Sequence, residues 1–270
     1  MYIKTNRYQQ FDAIEIKESL FKEFDLPNHF HETYCIGLLS NGIKKSIIEE
    51  TPQLIHSNSV SIINPHQIHS DKNIDYEDCL YKMIYLNQDI LNYFTKKITG
   101  KSSQNLQFTN ELITDSAVIA SISAFFNDMD NESLLENKLK NLIETLIIQD
   151  FSKEICIIHK ENKNAIDDSI SKARLNFADK IDIQKMSDES KMSKFQFIRY
   201  FKKETGLTPA SYILLHRINS AKSMLEKGFP IGEIALDVGF YDHAQFCKFF
   251  KYYTNISPSE YKRHCNIIQA

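Results

Sequence analysis

The sequence predicts an α+β multidomain protein: an N-terminal β barrel of jelly-roll type with helices behind it, then an all-α C-terminal part holding two helix-turn-helix units. Three observations predict this. Short runs rich in branched and aromatic residues fill the chain up to residue 86. The apolar period then lengthens from two to about 3.6 residues. Between Ser193 and Arg263 the chain states one pattern twice, 49 residues apart. With 270 residues, 42% of them hydrophobic, there is enough material for two domains with separate cores.

Strands are expected at Ile14 and Ile16 and over residues 33–39, 46–48, 60–63 and 80–86, separated by turn signals such as Ser40-Asn41-Gly42 and Asn64-Pro65. Short strands at regular spacing favour a small barrel or jelly roll. Helices are expected over 88–98, 110–126 and 131–151. The last is the most regular: Leu135, Leu139, Leu142 and Leu146 step by four, three and four, with Leu134, Ile143 and Ile147 alongside. Such a stripe pairs with its copy in a second subunit, making 131–151 the contact of a homodimer, or covers the barrel within one chain, or does both, since the apolar face is wide. Residues 159–168 are polar and charged, so we place one domain, including any dimerisation helix, at 1–160, a linker at 161–167 and a second domain at 168–270.

The second domain opens with a helix over 168–177, followed by the repeat. Ser193-x-x-Gln196-Phe197-x-Arg199-x-Phe201-Lys202-x-x-Thr205-Gly206-x-Thr208-Pro209-x-x-Tyr212 returns as Asp242-x-x-Gln245-Phe246-x-Lys248-x-Phe250-Lys251-x-x-Thr254-Asn255-x-Ser257-Pro258-x-x-Tyr261. Ser193 with Gln196, and Asp242 with Gln245, have the spacing of a reciprocal N-cap. Phe197, Tyr200 and Phe201, then Phe246, Phe249, Phe250 and Tyr253, give each helix a buried aromatic stripe. Gly206 and Asn255 suit left-handed C-caps, and Thr208-Pro209 and Ser257-Pro258 restart the chain with a cap and a proline at the first helical position. A shorter segment precedes each copy, over 183–189 and 231–238. Short helix, turn, capped helix is a helix-turn-helix, present twice.

At these residues the chain resembles the AraC/XylS family of bacterial transcription regulators. The stretch Ile234-Ala235-x-x-Val238-Gly239-Phe240-x-Asp242-x-x-x-Phe246-x-x-x-Phe250-Lys251, running on to Ser257-Pro258-x-x-Tyr261-Lys262-Arg263, is similar to that family's signature. It departs from the pattern at Met186-Ser187 (usually Leu-Ala), Lys191 (often Gly) and Lys248 (usually Arg), which bears on sequence preference more than on fold. The resemblance implies double-stranded promoter DNA as partner, with RNA polymerase a further one, and a role as activator or repressor.

By helix position, Phe195, Gln196, Ile198 and Arg199 of the first recognition helix and His243, Ala244, Gln245 and Lys248 of the second are the candidate base readers. Arginine can address guanine through two bonds, glutamine adenine, and Phe195, Ile198 or Ala244 a thymine methyl. Gln196 and Gln245 are alternatively spent closing their caps. Lys194, Lys202, Lys203, Lys251, Lys262 and Arg263 are candidate phosphate contacts. The eighteen residues 209–226 span roughly 27 Å as a helix, close to the ~34 Å turn of DNA that separates successive major grooves.

His29-Phe30-His31-Glu32 and Asn64-Pro65-His66-Gln67-Ile68-His69 look like the two histidine motifs of a cupin-like sensor domain of the kind found in front of AraC-type DNA-binding units. We take His29, His31, Glu32, Tyr34 and His69 as candidate groups for a small polar effector. The metal-binding form of the motif wants a glutamate where this chain has Cys35 and Ile36, so no metal or cofactor is assigned. A cupin-type metal enzyme tethered to a DNA-binding unit, or a regulator without a small ligand, remain the alternatives.

Composition narrows the classes further. Residues 1–164 carry 16 Lys and Arg against 23 Asp and Glu, net −7, and residues 165–270 carry 16 against 12, net +4. Only the second half has the sign that suits phosphate. No apolar run approaches the ~18 residues of a membrane span and the first twenty residues are not a signal peptide, so a cytoplasmic protein is expected; the resemblance to transcription regulators implies that it is not an enzyme. Five cysteines without a Cys-x-x-Cys pair suggest neither a disulfide framework nor structural zinc.

Overall fold

The computed structural model describes residues 2–8, 14–75, 78–100, 106–128, 131–150 and 165–268. The chain divides into two compact units: residues 1–25, 31–158 and 264–270 form one, and residues 26–30 with 159–263 form the other.

In chain order the first part runs β1 (Tyr2–Tyr8), β2 (Ile14–Phe21), β3 (Asp25–His29), β4 (Tyr34–Asn41), β5 (Ile43–Ile48), β6 (Thr51–His56), β7 (Ser59–Ile63), β8 (His69–Asn73), β9 (Cys79–Leu86), α1 (Gln88–Thr99), β10 (Leu112–Ile113), α2 (Ser116–Asn127) and α3 (Glu132–Asp150). One sheet has the order β10-β7-β4-β9-β2-β1-β11, where β11 is Cys265–Ile268; the other has the order β3-β8-β5-β6. Apart from the parallel pair of β1 with β11, the registered pairs are antiparallel. Each expected strand forms, and six more appear among the described residues. β3 and β6 carry Pro27 and Pro52, which a sheet tolerates at its edges, and both strands are edges. β8, His-Ser-Asp-Lys-Asn, has no apolar residue to betray it.

Strand β4 is buried on both faces and so separates two environments. Tyr34, Ile36 and Leu38 face the helices and join the main core with Ile84, Leu91, Phe94, Phe125, Leu139 and Leu142. Cys35 points the other way, into a small cluster with Ile48, Ile63 and Met83. The leucine stripe of α3 belongs to the main core: Leu135 is 3% exposed, and Leu139, Leu142 and Leu146 are fully buried. These side chains are covered by their own chain. Helix α2 starts later than the apolar period suggests, because the Asp115 carboxylate accepts the Ala117 and Val118 N–H groups at 2.8 and 3.2 Å and fixes the N-terminus there. Residues 112 and 113, expected in that helix, pair with β7 instead.

The second unit contains α4 (Ala165–Leu175), α5 (Ile183–Glu189), α6 (Lys194–Thr205), α7 (Pro209–Glu226), α8 (Ile231–Asp237), α9 (His243–Thr254) and α10 (Pro258–His264). α4 takes Ala165, Ile166 and Asp167 from the expected linker, with Asp167 and Asp168 in its first turn where the helix dipole favours acids. Residues 161–164 of that linker lie outside the described residues. The long α7 is the hub. Tyr212, Ile213, Leu215, Ile218, Ala221 and Leu225 are buried, the Arg217 guanidinium donates to Phe177 O and Asp179 O at 2.7 Å each, and the Tyr261 hydroxyl donates to Glu226 at 2.5 Å. Phe30, 1% exposed, packs its ring 5.4 Å from that of Tyr212 and 5.1 Å from that of His216. Gly239 has φ +88° and sits so close to the Ala178 backbone that a side chain would collide with it, so the turn between α8 and α9 requires glycine twice over.

Candidate functional site

The two repeat helices, α6 and α9, are built by the same devices. Ser193 Oγ accepts the Gln196 N–H at 3.4 Å and Gln196 Oε1 accepts the Ser193 N–H at 3.1 Å, a reciprocal cap. At α9 the Asp242 carboxylate accepts the Gln245 N–H at 2.7 Å, while Gln245 Oε1 reaches one residue further back to the Tyr241 N–H at 3.2 Å. Both helices end on a left-handed residue, Gly206 at φ 70° and Asn255 at φ 63°. Phe197, Phe201, Phe246 and Phe250 are fully buried and set the rotation of each helix about its axis.

That rotation turns the expected base readers outward. Phe195 is 87% exposed; Gln196, Arg199, Lys202, His243, Ala244, Gln245, Lys248 and Lys251 are exposed, and Ile198 is half-buried. Tyr200 departs from the expected stripe: it is 41% exposed and carries the Arg199 guanidinium 5.3 Å above its ring. Among the candidate phosphate contacts, Lys194, Lys203 and Arg263 are exposed, whereas Lys262 donates to Gly228 O and Phe229 O at 2.9 and 2.7 Å and closes the end of α7.

The five expected effector residues do not stay together. His31 and His69 come together, while His29, buried at the end of β3, falls with the other compact unit. The His31 and His69 rings are 5.1 Å apart, and His31 meets Tyr85 edge-on at 5.4 Å. Tyr34 lies on the opposite face of β4, fully buried in the main core. Its hydroxyl bonds to Leu106 O and Gln88 Oε1, and burial pushes its pKa up to about 12. Alternation along the strand sent it there, so it does not share the histidines' site. Glu32 is exposed.

Sequence reasoning missed a polar row between the two sheets. Lys44, 2% exposed, donates to Asp71 at 3.0 Å and lies 4.1 Å above the Tyr81 ring, whose hydroxyl is 2.7 Å from Ser61 Oγ. Burial alone would lower the Lys44 pKa, but Asp71 and Tyr81 more than reverse that and hold the ammonium charged. Gly37 leaves the space that Tyr81 fills. The one signal for this row was the two-residue step from His69 to Asp71, which puts both on one face of a strand.

The family models match in two blocks: an AraC-like ligand binding domain over residues 13–143 and a helix-turn-helix domain over residues 186–264. The chain belongs to the AraC family. This AraC-family chain is similar to the uncharacterized HTH-type transcriptional regulator YbfI of Bacillus subtilis (strain 168), 27% identical over 81% of this chain and 80% of that one. It is similar as well to the HTH-type transcriptional activator RhaS of Escherichia coli O81 (strain ED1a), 22% identical over 91% of each. Unsaturated-fatty-acid-bound wild-type ToxT of Vibrio cholerae strain SCE256 shares the two-domain fold, with TM-score 0.61 and 17% identity over 93% of this chain and 95% of that one. The AraC-family architecture is that of a transcription regulator, a ligand-binding domain followed by a DNA-binding one. No described helix is long and apolar enough to cross a membrane.

Proposed function

We propose that this AraC-family regulator binds promoter DNA sequence-specifically through the outer faces of α6 and α9, and that a small effector in the N-terminal unit governs that binding. The observation that carries the reading is the duplication itself: two helices with the same caps and aromatic anchors present the same outer positions, with Arg199 and Lys202 on one face and Lys248 and Lys251 on the other. Arg199 offers the bidentate fork that guanine accepts, and the lysines position the chain on phosphate.

On the effector side, a packed interior would be apolar, yet the space between the sheets holds Lys44, Asp71, Tyr81, Ser61 and His69. Polar groups gathered in a mostly apolar enclosure are what a small-ligand site looks like. That the structurally similar ToxT is seen with a fatty acid supports a ligand role for this part of the fold. A homodimer contact through α3 would fall to its outer face, where Leu134 is 39% and Ile148 68% exposed. RNA polymerase is a further partner that this reading implies if the protein activates transcription.

The testing experiment titrates purified protein against fragments of its own upstream DNA and a scrambled control at two salt concentrations. Phosphate-driven binding falls steeply with salt, whereas preference for one fragment survives if bases are read. Equal binding to all fragments at both salts sinks the reading.

A further inference from the structure

We propose that Tyr241, the residue directly before the N-cap of α9, donates its hydroxyl to a DNA phosphate at the edge of the major groove that α9 enters, a contact with no counterpart at α6. The proposal rests on the reading of α9 as a DNA-recognition helix and adds a backbone anchor to it.

The two helix-turn-helix units do not repeat evenly. α5 and α8 begin 48 residues apart, at Ile183 and Ile231, whereas α6 and α9 begin 49 apart, at Lys194 and His243. The backbone shows where the register changes. Through each turn the hydrogen bonds match at 48: the Ser190 N–H donates to Met186 O as Val238 does to Ile234 O, Lys191 to Asp188 O as Gly239 to Leu236 O, and Met192 to Ser187 O as Phe240 to Ala235 O. Lys191 and Gly239, matched in this way, are both left-handed, at φ 55° and 88°. From the caps onward the bonds match at 49, Phe197 to Ser193 O and Phe246 to Asp242 O. The residue left over is Tyr241.

Its neighbours hold it in place. On one side Phe240 is 3% exposed, with its ring 5.4 Å from that of Phe246 and 6.3 Å from that of Phe249. On the other, Asp242 caps α9. The Tyr241 N–H itself donates to Gln245 Oε1 at 3.2 Å, taking the place of the bond that the Ser193 N–H makes to Gln196 in the first unit. The extra residue is tied to the first turn of α9 and yet remains 87% exposed.

That placement selects the contact. In a helix-turn-helix the first helix crosses the DNA backbone and the start of the second reaches the bases, so a residue in the turn joining them lies along the phosphates. Tyrosine is one of the neutral donors that phosphate oxygens accept from. Charge points the same way: α6 carries four exposed cations, Lys194, Arg199, Lys202 and Lys203, and α9 carries two, Lys248 and Lys251. A neutral donor at the start of α9 gives the less charged helix a second kind of hold on the backbone.

The test uses the full chain with fragments of its own upstream DNA and a scrambled control. Tyr241→Phe, which keeps the ring and loses the donor, should weaken binding roughly 5–10-fold on all of them alike. The salt slope should not change, because a neutral donor displaces no counterion, whereas Lys251→Ala should flatten it by about one. Replacing single phosphates of the bound site with uncharged methylphosphonates should identify one position at which the parent loses affinity and Tyr241→Phe loses nothing further. Thermal melts of the variants should match the parent, since the phenol is exposed. Tyr241→Phe binding as tightly as the parent overturns the proposal, and so does a loss confined to one base pair, which would make Tyr241 a base reader. A parent that binds every fragment equally, with Tyr241→Phe weaker on each, contradicts the sequence-specific reading alone. A parent that prefers one fragment, with Tyr241→Phe indistinguishable from it, contradicts the Tyr241 contact alone.

Discussion

The Tyr81 ring lies across Gly37, so that a methyl group added to Gly37 would overlap the tyrosine hydroxyl and the Met83 sulfur. Gly37 is paired with Ser61 on one side and Met83 on the other, and Ser61 holds the Tyr81 hydroxyl. Gly37→Ala should therefore displace Tyr81 from both Ser61 and Lys44. The expected cost is about 1–3 kcal/mol of overpacking, read as a lower urea midpoint. An unchanged midpoint would show that Tyr81 has another place to go.

Lys44 and Asp71 form a buried pair, and the cost of breaking it is asymmetric. Asp71→Ala leaves an uncompensated ammonium in the interior and should destabilise by about 3–5 kcal/mol, whereas Lys44→Met combined with Asp71→Leu should restore most of that. Chemical denaturation of the two variants decides it. If the double variant is as unstable as the single one, the pair is holding more than its own charges.

The helix ends give a graded set. Ser193→Ala removes an N-cap and should cost about 1 kcal/mol. Gly206→Ala forces a side chain into the left-handed region at φ 70° and should cost about 1–2 kcal/mol, while Asn255→Gly relaxes the equivalent position and should cost nothing. Thermal melts should show the largest loss for Gly206→Ala, a smaller one for Ser193→Ala and none for Asn255→Gly.

Arg199→Ala should weaken binding to the preferred fragment by ~1–3 kcal/mol and relax preference at one base position, and Lys202→Ala should weaken binding on all fragments alike and flatten the salt slope by about one. A footprint or selection experiment with both variants tests this. A uniform loss in Arg199→Ala would remove it from the base readers.

Glu260 supplies a pH dependence. The Ser257 hydroxyl and backbone N–H donate to its carboxylate and hold its pKa below the usual range. The folded value lies below the unfolded one, so the contribution is complete above the unfolded value and disappears as pH falls through the folded one. Glu260→Gln should lower the melting temperature slightly at pH 7, and the gap to the parent should close at acid pH. The site is largely solvated, so the gap is small. A gap that persists at low pH contradicts the mechanism.

The C-terminal unit was more legible than the N-terminal one, for a physical reason. Its helices carry their own start and stop residues, so Ser193, Gly206, Asp242 and Asn255 could be placed from local chemistry alone. The sheets depend on partners distant in sequence. β8 has no apolar residue and β3 and β6 carry prolines, so nothing local marks them, and only pairing with their neighbours reveals them. Tyr34 was assigned to the histidines on sequence proximity, and strand alternation carried it to the other face. The leucine stripe of α3 was visible, but periodicity cannot say what covers it.

The capping roles of Gln196 and Gln245 limit how much each recognition helix can say. With their amide oxygens committed to the backbone at the helix start, the side chains best suited to adenine are withdrawn from the alphabet. Each helix is left with few discriminating positions, so a single half-site is expected to be short and tolerant of substitution. On the proposed reading, discrimination across a genome would come from requiring two imperfect words at a fixed separation, with α7 as the ruler between them.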